Sequence, residues 1–317
     1  MRSAVCTLFE GNYHYGLAAL SNSLYNNGFR GDIFVGYRGN LPPWANSAYE
    51  NPNLEWDNAK TLKLEEDFKV HFLPLVTDWH LANLKPDFML NLWATSAKDA
   101  ESLFYFDPDI VIKCSWLFYE KWANFGVALV HEIISNDCPP NHPKRSIWKE
   151  VIDKMNMKVE REVHSYINSG FCGVKKSNID FLATWSKVIH SFVDSFGFSI
   201  KHFEFTNFQP WDIFFAGDQD AFNIAAMCSK APLSEMGPEA MDFIHGGFTM
   251  SHAVGGPKPW NKSFILFALK GIPPSFPDKA YWKNVGLPIA TCNKSTIKIK
   301  NLSIKIASVI GRFYRKY

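Results

Sequence analysis

The sequence predicts an α/β fold with a mainly parallel sheet flanked by helices, and three stretches carry the prediction. The chain opens strand, helix, strand; an apolar run reaches two carboxylates around residues 105–112; and a long amphipathic pattern over 179–196 follows a strand-like run at 167–174. Residues 4–9 are apolar except for Thr7 and read as a buried strand. Glu10, Gly11, Asn12 and Tyr13 form a loop, and Leu17, Leu20 and Leu24 recur at helical spacing. Residues 28–32 stop that helix and 33–37 begin a second strand. Such a unit implies parallel strands, with ligands at their carboxyl ends.

Residues 57–77 fit no element cleanly: 63–70 has too little apolar surface for a core helix, whereas 70–75 resembles a strand or an edge segment. A helix over 81–95 is begun or interrupted at Pro86. Beyond the carboxylates, 116–122 reads as helix, 126–130 as a short strand, 137–143 as a loop on proline density, and 146–155 as helix. The strand at 167–174 contains Gly170 and Gly173, where backbone could approach a ligand closely. Asp218 or Asp220 is expected to cap a helix whose Phe222, Ala225 and Ala226 turn inward.

Of the 317 residues, 47% are hydrophobic and 15% aromatic, with 27 Phe and 11 Trp, which suits a large phenylalanine-rich core and also sugar-stacking surfaces. Six scattered cysteines signal neither a zinc site nor a disulfide framework, and reduced thiols are expected. With no signal-peptide core and no apolar run of spanning length, the expected location is cytoplasmic. Net charge is +2, unevenly spread: residues 279–317 hold nine of the 33 Lys and Arg and no acid, leaving 24 basic against 31 acidic residues elsewhere.

Asp107 and Asp109, two apart where a strand ends, suit a hard divalent cation, Mn²⁺ or Mg²⁺, with a diphosphate as the remaining ligand. The competing reading is a solvated turn. His252 is followed by Gly255, Gly256, Pro257, Lys258, Pro259 and Trp260, which combines a further metal ligand, permissive glycines and a cation able to offset leaving-phosphate charge. Singly, each is an ordinary loop residue; together they suit a metal-bound diphosphate. Gln219 lies between Asp218 and Asp220, placed to orient sugar hydroxyls.

In this order the parts resemble the nucleotide-sugar glycosyltransferases of the GT-A fold, a Rossmann-like mixed sheet, and most closely the retaining family 8 that includes glycogenin and the lipooligosaccharide galactosyltransferases. The resemblance runs from about Ala4 to Trp260. It implies that Asp107, Asp109 and His252 bind Mn²⁺ and that Lys258-Pro259-Trp260 closes the motif begun by the histidine. Tyr13 is implied to stack on uracil beside Asn12, and Asn168 and Gly170 to approach the sugar, with Lys85 loosely matched as a basic donor contact. Thr7, Phe106, Pro108, Gly255 and Gly256 complete the implied donor-binding set. Glu10 departs from the pattern, standing where the family has an aspartate. The implied activity is transfer of a hexose from a UDP-sugar to a hydroxyl of a glycan or glycolipid, as in polysaccharide or lipopolysaccharide biosynthesis. Front-face attack would retain configuration, Gln219 steadying the cationic sugar and Asp218 its hydroxyls.

Two alternatives remain at this level: an inverting transferase using a carboxylate such as Asp220 as general base, and a protein that binds nucleotide sugars or glycans without turnover. A two-metal phosphodiesterase is disfavoured because one carboxylate cluster is visible. Nucleic acid is not an expected partner, the body being acidic. The expected division is a catalytic domain over 1–275 and a basic tail over 276–317. In that tail Leu302, Ile306, Val309, Ile310 and Phe313 share one helical face, suited either to an anionic membrane surface on the cytoplasmic side or to docking on the body.

Overall fold

The computed structural model describes residues 3–133, 137–196 and 217–315. Its first part runs β1 (Ser3–Glu10), α1 (His14–Asn26), β2 (Gly31–Arg38), β3 (Tyr49–Glu50), β4 (Lys60–Glu65), β5 (Phe68–Pro74), α2 (Lys85–Ala94), β6 (Ser102–Phe106), β7 (Ile110–Ile112) and α3 (Trp116–Trp122). Then come β8 (Val127–His131), α4 (Pro143–Lys154), β9 (Ile167–Lys175), α5 (Asp180–Phe196), α6 (Gly217–Cys228), β10 (Leu233–Met236), β11 (Met250–His252), α7 (Phe264–Leu269), α8 (Phe276–Lys283) and α9 (Lys294–Phe313).

Nine strands form one sheet in the order β10-β8-β9-β6-β1-β2-β5-β4-β3. Following the pairings from strand to strand, seven run one way and only β4 and β9 oppose them, so the predicted mixed, mainly parallel sheet is found. β1 lies at its centre and is apolar on both faces for that reason. On one face Ala4, Cys6 and Leu8 pack with Leu92, Trp185 and Phe222. On the other Val5 and Phe9 pack with Leu17, Leu20, Leu24 and Trp116. Helices therefore cover both sides.

The stretch left undecided by its sequence is the β4–β5 hairpin. Leu62, Phe68, Val70 and Phe72 are buried while Glu65, Glu66 and Asp67 are exposed at its tip, where the register slips. Pro86 sits in the first turn of α2 and Pro143 opens α4, three residues ahead of the expected start; proline at that place forfeits no helical hydrogen bond. Asp218 and Asp220 are not caps, because both lie inside α6, in the first turn of its described part.

The tail is docked. Ile304 and Ala307 of α9 are buried in a third cluster with Val111, Phe264, Tyr281 and Trp282. α8 begins with a capping box at Ser275 and Asp278, and Asp278 pairs at 2.7 Å with Lys262, so buried charges tie 276–283 to the body. Leu302, Ile306, Val309 and Phe313 point the other way, 42 to 87% exposed. Of the expected apolar stripe, Ile310 alone packs partly against the cluster.

Candidate functional site

The cleft lies at the carboxyl ends of β1, β6 and β8, where a parallel sheet offers its loops to ligands. Three features place its acids. β6 ends at Phe106, the backbone N–H of Asp107 is held by Gly170 O at 2.7 Å, and Ile110 N–H donates to Asp107 O at 3.0 Å, closing a tight turn. β7 then pairs antiparallel with β11 in a separate ribbon, with His252 opposite Ile110. Residues 143 positions apart are joined by that pairing: His252 Nε2 stands 3.3 Å from Asp109 Oδ1 and 3.8 Å from Asp107 Oδ2.

Asp107, Asp109 and His252 present ligand atoms all within 4.8 Å of one another. Two carboxylates and an imidazole fit a Mn²⁺ or Mg²⁺ ion in chemistry and in spacing. Gly170 makes the approach possible, since a Cβ there would meet His252 Cε1 at 2.6 Å and Asp107 Oδ2 at 2.9 Å. Gly16 does the same for α1, where a Cβ would lie 2.3 Å from Pro108 O.

Two lysines neutralise the acids. Lys85, 3% exposed, lies 3.3 Å from Asp107 Oδ1 and 3.0 Å from Asp218 Oδ2, and donates to Ser169 O. Burial alone would depress its pKa, but Asp107 and Asp218 outweigh burial and hold it above the usual lysine range. Lys258 donates to Asp109 Oδ2 at 2.6 Å and to Ala253 O at 2.7 Å. For Asp109, burial favours the protonated acid, yet His252 and Lys258 prevail and hold its pKa well below the carboxylate range.

The wall facing Lys85 is built by β9 and α6. Ser169 Oγ donates to Asp218 Oδ2 at 2.7 Å, and Gln219 Oε1 accepts from Ser169 N–H at 3.1 Å. Asp218 Oδ1 is buried and has no hydrogen-bond partner among the described residues, while the residue itself borders the cleft. Asn168 Nδ2 donates to Glu132 Oε2 at 2.5 Å, and Asn168 Oδ1 accepts from Gly170 N–H.

The cleft, about 430 Å³, is lined by twelve of the residues picked out from sequence. Tyr13, Lys85, Pro108, Asn168, Gly170 and Gly255 line it, as do Asp107, Asp109, His252, Asp218, Gln219 and Lys258. Tyr13 is 37% exposed and edges onto Trp260 at 5.7 Å, which explains the tripeptide's aromatic end. Asn12 and Gly256 are exposed and lie outside the lining. So does Thr7, which is fully buried with an unpartnered hydroxyl. The Phe106 side chain faces the core against Tyr119 and Phe171, because neighbours on a strand point to opposite faces and Tyr105 takes the cleft side.

The proposed alternative base, Asp220, is excluded by geometry. It is fully buried, outside the cleft, and accepts hydrogen bonds from Lys144 and Tyr166. Glu132 was missed. It follows β8 at the same sheet edge as Asp107 and Asp109 and lines the cleft, and its position just past a strand's carboxyl end was the available signal. Glu10 also lines the cleft and is bridged to Arg38 at 2.6 Å.

No family model matches the sequence, and no curated protein matches it either. Solved structures do match the fold. The WbbM bifunctional glycosyltransferase is 14% identical with a TM-score of 0.53, over 94% of this chain and 51% of that one, so this chain spans about half of that protein. The galactosyltransferase LgtC, in complex with donor and acceptor sugar analogs, is 14% identical with a TM-score of 0.50, over 94% and 99%. The glycosyltransferase GlyE of Streptococcus pneumoniae is 12% identical with a TM-score of 0.50, over 96% and 64%. The chain thus has the GT-A-type glycosyltransferase fold and resembles the LgtC-type enzymes, as its motifs predict.

Proposed function

We propose that the protein is a metal-dependent glycosyltransferase that moves a hexose from a UDP-sugar to a hydroxyl of a glycan or glycolipid, with retention. The observation that carries this reading is the meeting in one cleft of Asp107, Asp109 and His252 with the Asp218–Gln219 turn. When bound by that triad, a divalent cation, Mn²⁺ in preference, supplies Lewis-acid neutralisation of the leaving diphosphate. Lys258 adds a second positive charge at Asp109. Tyr13 offers a ring for the base at the cleft's open end. Asp218 and Asn168 border the cleft where the sugar's hydroxyls would lie, and Gln219 can stabilise positive charge developing on the sugar ring.

One observation favours an inverting reaction instead. Glu132 lines the cleft, is held by Asn168 and by Ile133 N–H, and has no cationic partner among the described residues, so it could act as general base on the acceptor. NMR of the product anomer separates the two outcomes.

UDP release from UDP-, GDP- and dTDP-hexoses tests the proposal. Slow release is expected to be fastest with a UDP-hexose and Mn²⁺, to stop with EDTA, and to be absent in Asp109→Asn. Release that survives EDTA sinks the reading, and UDP–Mn²⁺ affinity without release identifies a binder. We also place the protein on the cytoplasmic face of a membrane with anionic lipid, through the basic, partly apolar outer face of α9; no helix among the described residues is long and apolar enough to cross a membrane.

A further inference from the structure

We propose that Lys144 is a positioning residue for the donor-sugar turn, acting through Asp220 from outside the cleft. The inference rests on the glycosyl-transfer reading above. Asp220 Oδ1 accepts from Lys144 Nζ at 3.1 Å and from Tyr166 OH at 3.0 Å, and the Lys144 ammonium lies 4.7 Å over the Tyr166 ring. All three side chains are at least nine-tenths buried, and none lines the cleft.

Helix geometry gives this remote cluster a consequence in the site. At about 100° per residue, positions 218 and 220 of α6 point about 200° apart, so a grip on Asp220 sets where Asp218 aims. Lys85 of α2 holds Asp218 from the cleft side at 3.0 Å, and Lys144 of α4 holds Asp220 from behind at 3.1 Å. Between them Gln219 Oε1 takes the Ser169 N–H, and one turn on Asn223 exchanges hydrogen bonds with both backbone groups of Ile167. The first turn of α6 is thereby fixed in rotation as well as in place. A well-packed apolar pair of similar volume would give comparable stability, because desolvating two charges offsets much of their attraction. Directional bonds add orientation, which an apolar pair lacks.

The test compares Lys144→Met with Lys144→Arg. In Lys144→Met, kcat for donor turnover is expected to fall about 10- to 100-fold, the loss typical of a displaced reacting group. KM for the UDP-hexose is expected to change less than about threefold, since the metal triad and Tyr13 are untouched. Lys144→Arg is expected to recover most of kcat. Amide hydrogen exchange is the second readout: it should rise in the peptide 217–228 of Lys144→Met and stay near wild type in Lys144→Arg. If Lys144→Met does not fold, the uncharged pair K144M/D220N replaces it, with the same expectations. Wild-type kcat together with wild-type exchange would overturn the assignment. So would a uniform rise in exchange with equal losses of UDP–Mn²⁺ affinity and turnover, which marks a merely structural residue. If the wild-type protein releases no UDP from any donor, the transfer reading fails by itself; exchange localised to 217–228 then still supports the positioning role, and unchanged exchange refutes it.

Discussion

A methyl group at Gly170 would stand 2.6 Å from His252 Cε1 and 2.9 Å from Asp107 Oδ2, so Gly170→Ala must push apart two members of the candidate metal triad while leaving β9 in register. The expected result is a folded protein whose Mn²⁺ affinity falls about tenfold or more, the usual cost of disturbing groups that orient ligands. Calorimetric titration with Mn²⁺ checks it; wild-type affinity would mean that the triad is not the metal site. Much of the candidate site was legible at this scale, and the reason is local spacing. Asp107 and Asp109 stand two apart in the tight turn that follows β6, so both acids fall at the sheet edge, and the spacing was readable as a candidate metal pair. Asp218 and Asp220 have the same spacing on a helix, where it sends them to opposite sides, so Asp220, named as the base of an inverting alternative, lies outside the cleft. Glu132 stands in no motif, and its one signal in the sequence was its place just past the carboxyl end of the strand read at 126–130.

At the scale of elements, α1 anchors the C-terminal part through one buried side chain. Asn22 Nδ2 donates to Asn284 O and Ile289 O, and Asn22 Oδ1 accepts from Ile289 N–H at 2.7 Å. Asn22→Ala leaves those three backbone groups without their partner, at a cost of about 2 to 4 kcal/mol. Denaturant unfolding should show the loss, and a change below about 0.5 kcal/mol would show that the clamp is dispensable. Nothing in the sequence around Asn22 announces it, because its partners lie more than 260 positions away. Elements with apolar periodicity were readable: β1, α1, β2 and α5 occur where the pattern predicts. The β4–β5 hairpin was not, since its polar tip interrupts the alternation and its strands pair at the outer side of the sheet. The apolar stripe of α9 was read correctly as one face, but that face is mostly exposed. The buried contact is made by Ile304 and Ala307 on the opposite side, small and sparse enough to be overlooked.

For the whole molecule, the arrangement of charge and apolar surface leads to a prediction about where it works. Leu302, Ile306, Val309 and Phe313 form an exposed stripe on α9, and Lys298, Lys305 and Arg312, spaced seven apart, flank it on one side. The neighbouring α7 exposes Ile265, Leu266 and Leu269, which broadens the apolar face. Apolar side chains entering the headgroup boundary and cations held at it are the two contributions an interfacial helix needs, the cations adding about 1 kcal/mol each near anionic lipid. The remaining chain, with more acids than bases, is repelled by the same surface and would face away from it. The protein should therefore float with phosphatidylglycerol vesicles and not with phosphatidylcholine vesicles, and roughly 0.5 M salt should weaken binding by screening the ionic part. The double variant Leu302→Glu, Phe313→Glu replaces two exposed residues on the face away from the core, so it should keep the wild-type melting temperature and UDP release from free donor while losing vesicle binding. Binding that persists in that variant, or that ignores lipid charge, would remove the membrane from the account and leave α9 as a helix whose work is done by Ile304 and Ala307.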